Sequence, residues 1–294
     1  MSPDPNLITR HTGQSRIERN SRALVRIGVS ALARFYRERE QPILGAGFIL
    51  LLILAWQSLP AIVSLPRGIS LFFTTPVEVV KAFYRLVEAN EIQSHVYVSA
   101  LEFIVGLGLA IAVGLPLGLV MGRSKVIDAM LDPFITAFNA TPRLVFLPLL
   151  MLWLGIGIWS KITIVFVGAV FPLLINTYEG VKNVDRVLVN VVRSFGANEW
   201  QTMKIVVLPN SVPYIVAGLR LAIGRALLGV VVGEFFGASK GLGFMIATAA
   251  TNYKVDVVFV GVTIFMGLSL ILTHLVKMVE SRLSRWRLEE VKTF

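Results

Sequence analysis

The tightest constraint on this chain is its recurrence of apolar runs about twenty residues long, the length a helix needs to cross a bilayer's hydrocarbon core. Residues 97–121 read YVSALEFIVGLGLAIAVGLPLGLVM, in which Glu102 is the sole charged side chain. With no water in that core, each backbone N–H and C=O must be satisfied within the segment itself, which leaves helices or a closed barrel. Runs this long and continuous suit helices. Charged residues make up 16% of the chain, against about 25% in a soluble protein. The expected fold class is therefore all-α integral membrane.

Hydropathy places six spans at about 43–63, 97–121, 131–153, 162–177, 212–236 and 257–278. The third is interrupted by Pro142 and Arg143, with Asn139 and Thr141 just before them. Such broken helices survive where neighbouring protein or water satisfies the freed backbone groups. The first run is too long for a signal-peptide core and reads as a retained span.

Loop charge sets the orientation. With both ends cytoplasmic, inner segments 1–42, 122–130, 178–211 and 277–294 hold 19 of the 28 basic residues. Arg67, Lys81, Arg85, Lys161, Lys240 and Lys254 are then outside. The net charge of +10 thus points to membrane orientation and not to nucleic acid. Residues 1–42 form a basic arm, in which Leu24, Ile27, Ala31 and Phe35 share one helical face opposite Arg22, Arg26 and Arg37. That pattern predicts an interfacial helix lying against lipid headgroups. Residues 43–280 form the membrane domain and 281–294 a cytoplasmic tail. On the outer side, Thr75, Pro76 and Glu78 have capping-box spacing and predict a short helix to about Asn90.

Several chemistries lack their residues. The stretch GASKGLG at 237–243 does not have the order of a phosphate-cradling loop, so the chain is not expected to hydrolyse ATP. Zero cysteines exclude thiolate metal sites. His11, His95 and His274 are far apart and show no metal-binding spacing. No metal site, cofactor or catalytic residue is expected, and the chain does not read as an enzyme.

One polar island stands out, NVVRSFGANEWQTMKIVVLP at 190–209. Val187, Leu188, Val191, Val192 and Phe195 make an apolar helical face, and Gly196 suits the left-handed turn that ends a helix. Asn198 and Gln201 have capping-box spacing. A second helix is expected to about Val207, with Pro209 breaking the path before the fifth span.

This island resembles the cytoplasmic "EAA" loop of bacterial ABC-importer permeases, E-A-A-x3-G-x9-I-x-L-P. Gly196, Leu208 and Pro209 match in register, Val206 replaces the Ile, and Asn190, Val191 and Val192 stand where Glu-Ala-Ala would be. Segments 142–162 and 216–246 are similar to permeases of the nitrate/sulfonate/taurine-type importers, and the likeness covers about 45–280. It implies a type I ABC-importer permease with six spans, paired with a second permease copy, as a homodimer in the usual case. It also implies an extracytoplasmic solute-binding protein and separate cytoplasmic ATPase subunits that use ATP and Mg. The location implied is the bacterial inner membrane, with the lipid bilayer around the spans. The coupling loop would be 186–209, with contact to the ATPase through Gly196, Ala197, Asn198, Glu199, Trp200, Gln201, Thr202, Leu208 and Pro209. The bland alternative is a loop that only ties two spans together.

Ionisable groups at membrane depth are costly and raise functional hypotheses. Arg220, Arg225 and Glu234 in the fifth span, with Asn139 and Thr141 in the third, are candidates for a solute pathway. The opposing reading has the arginines pairing with Glu102, Glu234 or backbone carbonyls as braces. Pro172 is read either as a pathway residue or as a packing kink. Gly229, Gly233 and Gly237 follow Arg225 at four-residue spacing and suit close helix packing. The cargo expected is a small anion such as nitrate, a sulfonate, taurine or a carboxylate. The alternatives are a neutral or cationic metabolite such as a vitamin precursor and, more remotely, an ATPase-independent channel or membrane enzyme.

Overall fold

The computed structural model describes residues 44–60, 62 and 72–283, and the chain divides into two units, 1–66 and 67–294. The first contains helix α1, Leu44–Pro60, an apolar rod whose side chains are mostly uncovered. The ends of the expected first span, the basic arm and the tail beyond 283 lie outside the described residues.

The regular elements of the second unit are all helices among its described residues. It starts with α2, Pro76–Glu88, where the Thr75 hydroxyl accepts from the Glu78 amide and the Glu78 carboxylate accepts from the Thr75 amide. Next come α3, Glu91–Arg123, and α4, Lys125–Ala140. A tight turn at Arg143–Phe146 leads into α5, Leu147–Leu154, which ends at Gly155 with φ +79°. The long α6, Ile158–Lys182, precedes the short α7, Arg186–Ser194. Then α8, Glu199–Thr202, passes through a π turn, Met203–Val207, into α9, Leu208–Phe235. Helices α10, Leu242–Thr251, and α11, Val255–Leu283, complete the unit.

Among the described residues, four helical runs are long and apolar enough to cross a membrane: Glu91–Arg123, Ile158–Lys182, Glu199–Phe235 and Val255–Arg282. The run in α6 is 56% buried while that in α11 is 17% buried, so α6 is the hub. It packs between α3 and α9 around Phe103, Ala110, Val165, Ala169, Ala226 and Val230. Without a hydrophobic drive between helices in lipid, small residues are needed to bring backbones close enough for dispersion to hold them. In α3 they recur every fourth position at Gly106, Ala110, Gly114, Gly118 and Gly122. A Cβ on Gly118 would lie 2.6 Å from the Leu174 carbonyl oxygen, and one on Gly229 3.0 Å from the Val165 Cα. A second cluster joins Ala82 and Leu86 of α2 to Leu242, Met245 and Val260 of α10 and α11. Arg85 and Asp256 close it with a 2.9 Å ion pair.

Three expectations need correction. The helix at the expected third span begins at Lys125, earlier than hydropathy placed it, because the Ser124 hydroxyl accepts from the Ile127 amide and starts a new helix one residue after α3 ends. Segment 122–130 is therefore helical joint and not loop. Pro209 does not break the path: residues Glu199–Phe235 form one helical run. The π turn before Pro209, in which the Leu208 amide bonds the Met203 carbonyl, widens the ladder where proline lacks an N–H and crowds the preceding turn. Finally, α10 lies in a stretch expected to be an outer connection.

Candidate functional site

The polar island is built from local capping. The Asp185 carboxylate accepts from the Val187 amide at 2.8 Å and starts α7. At its end Gly196 has φ +83°, and the Ala197 amide reaches back to the Val192 carbonyl at 3.3 Å, closing the helix. The chain reverses at once. Asn198 Oδ1 accepts from the Gln201 amide, and Gln201 Oε1 accepts from the Asn198 amide, both at 2.8 Å. Thr202 is buried beneath this box, its hydroxyl donating to the Asn198 carbonyl at 3.0 Å.

The apolar face of α7 is largely uncovered among the described residues. Val187, Leu188 and Val191 are exposed, Phe195 is 88% exposed, and Trp200 on α8 is 73% exposed. These side chains stand on a rigid frame. The Glu199 carboxylate accepts from Arg193 of α7 at 2.7 Å and is also ion-paired to Arg123 at the end of α3. Glu199 thus ties the short helix to two others, while α8 runs directly into α9.

Half-way along the bundle, a cavity of about 390 Å³ is lined by Asn139, Thr141, Pro142, Gly168, Arg225 and Gly229. The break between α4 and α5 therefore faces the arginine of α9, and three of the five pathway candidates meet in one place. The Thr141 hydroxyl donates to the Ala137 carbonyl at 2.9 Å. Gly229 sits where α9 touches α6, and Gly233 has Ile164 and Lys161 as its neighbours there. Gly237 lies beyond α9, against Met151 and Ile156. Pro172 stays within continuous α6, its carbonyl accepting from the Asn176 amide side chain at 2.8 Å.

The other two candidates lie elsewhere. Arg220 is ion-paired to Glu280 of α11 and not to Glu102 or Glu234. Glu234 is fully buried, accepting from the Ser99 hydroxyl and the Gly243 amide, each at 2.5 Å. Ser99 Oγ also accepts from the Leu242 amide at 2.8 Å, and His95 Nδ1 from the Gly241 amide at 3.0 Å. Side chains of α3 and α9 together satisfy the free amides at the start of α10, where Gly241 has φ +129°.

Beside this cap, Glu102 is fully buried and its compensating charge is Lys161 Nζ at 3.6 Å. Neither Glu102 oxygen accepts a hydrogen bond among the described residues. Lys161, expected in an outer loop, instead occupies the first turn of α6 and is 5% exposed. Sequence reasoning missed Lys161, Ser99, His95 and Glu280 as partners. The visible signal was the cost of a lone Glu102 in an apolar run; the identity of its partner is tertiary.

Comparison with known proteins follows the same lines. A profile of the family described as binding-protein-dependent transport system inner membrane component matches residues 114–285. The chain is 37% identical over 217 residues to SsuC of Bacillus subtilis (strain 168), a candidate aliphatic sulfonates transport permease protein, covering 72% of this chain and 77% of that one. It is 32% identical over 192 residues to the taurine transport system permease protein TauC of Escherichia coli (strain K12), covering 65% and 70%. The formylaminopyrimidine transport permease protein ThiX of Halalkalibacterium halodurans is 27% identical, covering 82% and 94%. Among solved structures, a chain of an inward-facing MetNI methionine ABC transporter superposes with TM-score 0.55 at 20% identity, covering 66% of this chain and 94% of that one. An amino acid ABC transporter chain gives TM-score 0.54 at 16% identity, covering 68% and 97%.

Proposed function

The chain belongs to the family of binding-protein-dependent transport inner-membrane components, and we propose that it is the permease subunit of an ATP-driven importer. It crosses the bacterial inner membrane six times, through α1, α3, α4 with α5, α6, α9 and α11, with both ends in the cytoplasm. Two copies enclose the solute path, and an extracytoplasmic binding protein supplies the solute. ATP and Mg act on a separate ATPase subunit, against which Trp200 and its neighbours on 196–201 dock, while Thr202, buried beneath them, braces the turn and makes no docking contact. Leu208 and Pro209 carry the motion onward.

The observation that supports this reading best is the unbroken run Glu199–Phe235. It places the exposed Trp200 at one end and Arg225, beside the mid-bundle cavity, on the same rod. The 25 helical steps from one to the other span roughly 37 Å at about 1.5 Å each. A push on the loop therefore displaces the cavity wall without a flexible joint. Arg225 supplies a positive charge where Asn139 supplies a side-chain amide, a set suited to a small oxyanion such as a sulfonate, while the Thr141 hydroxyl is committed to the Ala137 carbonyl. Glu234, tied up in the cap of α10, is assigned no contact with solute.

A second cargo, a neutral or cationic vitamin precursor, is favoured by the extended likeness to ThiX. Uptake in proteoliposomes carrying the ATPase and binding protein separates the two. Arg225→Ala is expected to lower uptake of a sulfonate about 10- to 100-fold, the worth of a charged hydrogen bond. Undiminished sulfonate uptake by this variant would remove Arg225 from the path and favour the second cargo.

A further inference from the structure

The loop end of the second unit holds a larger space than the mid-bundle cavity. About 650 Å³ lies between the ends of α3, α4 and α6 and the inner side of α7 and α8. Five basic side chains line it, Arg123, Lys125, Lys182, Arg186 and Arg193, against the carboxylates of Asp128 and Glu199. Both carboxylates are already engaged. Asp128 accepts from the Tyr178 hydroxyl at 3.1 Å and lies 3.8 Å from Lys182, and Glu199 is held by Arg193 and Arg123. Lys125 and Arg186 have no acidic partner among the described residues. The walls therefore carry an excess of positive charge around a half-open space, where unscreened like charges repel.

We propose that this space is a binding site for a tetrahedral oxyanion of the phosphate or sulfate type, separate from the solute path. Lys125 and Arg186 provide the uncompensated charge. Arg123 and Arg193 provide guanidinium forks, whose geometry suits oxygens of a phosphate or sulfate as well as those of a carboxylate. Glu199 is the internal competitor. Its carboxylate holds the two arginines, and an entering oxyanion takes them over and releases α8 from α3 and α7. Occupancy thereby loosens the mount of Trp200, one residue away. The anion's source is either a lipid phosphate headgroup or a free anion in solution. The site itself stands on the cavity walls; its regulatory meaning alone rests on the proposed coupling role of α8.

The test uses the full-length chain in lipid nanodiscs, with no ATPase present, so that its outcome is independent of coupling. Trp200 emission is followed during addition of sodium phosphate or sodium sulfate at constant ionic strength in phosphatidylcholine discs. A parallel series raises the phosphatidylglycerol fraction without added anion. The signal is assigned by its loss in Trp200→Phe. A saturable shift with the soluble salts identifies a free anion, and a shift with phosphatidylglycerol alone identifies a headgroup; both support the site. In either case Lys125→Gln/Arg186→Gln, at two exposed positions that bear no packing, is expected to abolish the shift. Glu199→Gln is expected to lower the half-saturating concentration several-fold by removing the competitor. Absence of a shift in both series, its persistence in the double variant, or weaker binding in Glu199→Gln would overturn the proposal.

Discussion

Glu102 is buried in α3 with Lys161 3.6 Å away and, among the described residues, no hydrogen bond to either oxygen. Burying two charges costs several kcal/mol each and is offset only while both are present. Glu102→Gln removes the carboxylate nearest Lys161, and about 3 kcal/mol of stability is expected to go with it. Glu102→Gln/Lys161→Met removes both charges and is expected to recover most of that loss. The two melting midpoints in detergent decide the matter; a single variant as stable as the parent would mean the pair is no brace. Glycines in the same helix provide a contrast of sign. At Gly118 a Cβ meets the Leu174 carbonyl oxygen, whereas at Gly108 nothing lies within 4 Å. Gly118→Ala is expected to cost about 1–3 kcal/mol as overpacking. Gly108→Ala is expected to gain up to about 1 kcal/mol from helix propensity. Equal effects at the two positions would contradict the packing of α3 on α6.

Among the elements, the run from α8 to α9 makes the sharpest demand. Its π turn and Pro209 belong together, since the wider ladder accommodates a residue with no N–H. Pro209→Ala restores the donor and lets the turn relax toward an α-helix, turning α8 relative to α9 by up to about 100° for the one residue of slack. The expected result is unchanged or slightly higher thermal stability with uptake reduced several-fold. Uptake at the parental level would show that the register of this turn is immaterial. The same elements show what the sequence makes legible. The capping boxes at Thr75–Glu78 and Asn198–Gln201 and the left-handed Gly196 were readable because each depends on neighbours within a few residues. The π turn was not, because a proline after a helix reads as a stop unless the preceding ladder is known to have widened. Helix α10 was missed since ten residues are too few to span, and two of its anchors, His95 and Ser99, come from a distant part of the chain. For the same reason Asn139 and Arg225 could be nominated separately but not joined: their meeting depends on how α4 and α9 stand against α6.

For the whole molecule, the central question is how a bundle built on close glycine contacts moves as a machine. Close packing makes α3, α6 and α9 a stiff block, since interdigitated interfaces resist gradual deformation. On the proposed coupling role, work done at the loop reaches the cavity by shifting that block or its cavity-facing edge, and the loop is gripped firmly from outside. The side chains available for the grip are Phe195 and Trp200, both exposed on capped, ion-paired helices. Large aromatics on a rigid mount dominate association energies, at about 2 kcal/mol or more each. Trp200→Ala is therefore expected to weaken binding of the ATPase subunit roughly 30-fold, with ATP-driven uptake falling in step. Because Trp200 is exposed, its removal is expected to change the unfolding free energy of the isolated permease by no more than about 0.5 kcal/mol, leaving the melting midpoint near the parental one. That pairing of results separates a docking residue from a structural one. Titration of detergent-purified permease with ATPase subunit measures the first, and thermal unfolding of the permease alone measures the second. Unaltered ATPase affinity, or lost affinity together with a lowered midpoint, would shift the grip away from α8 and leave the exposed face of α7 to carry it.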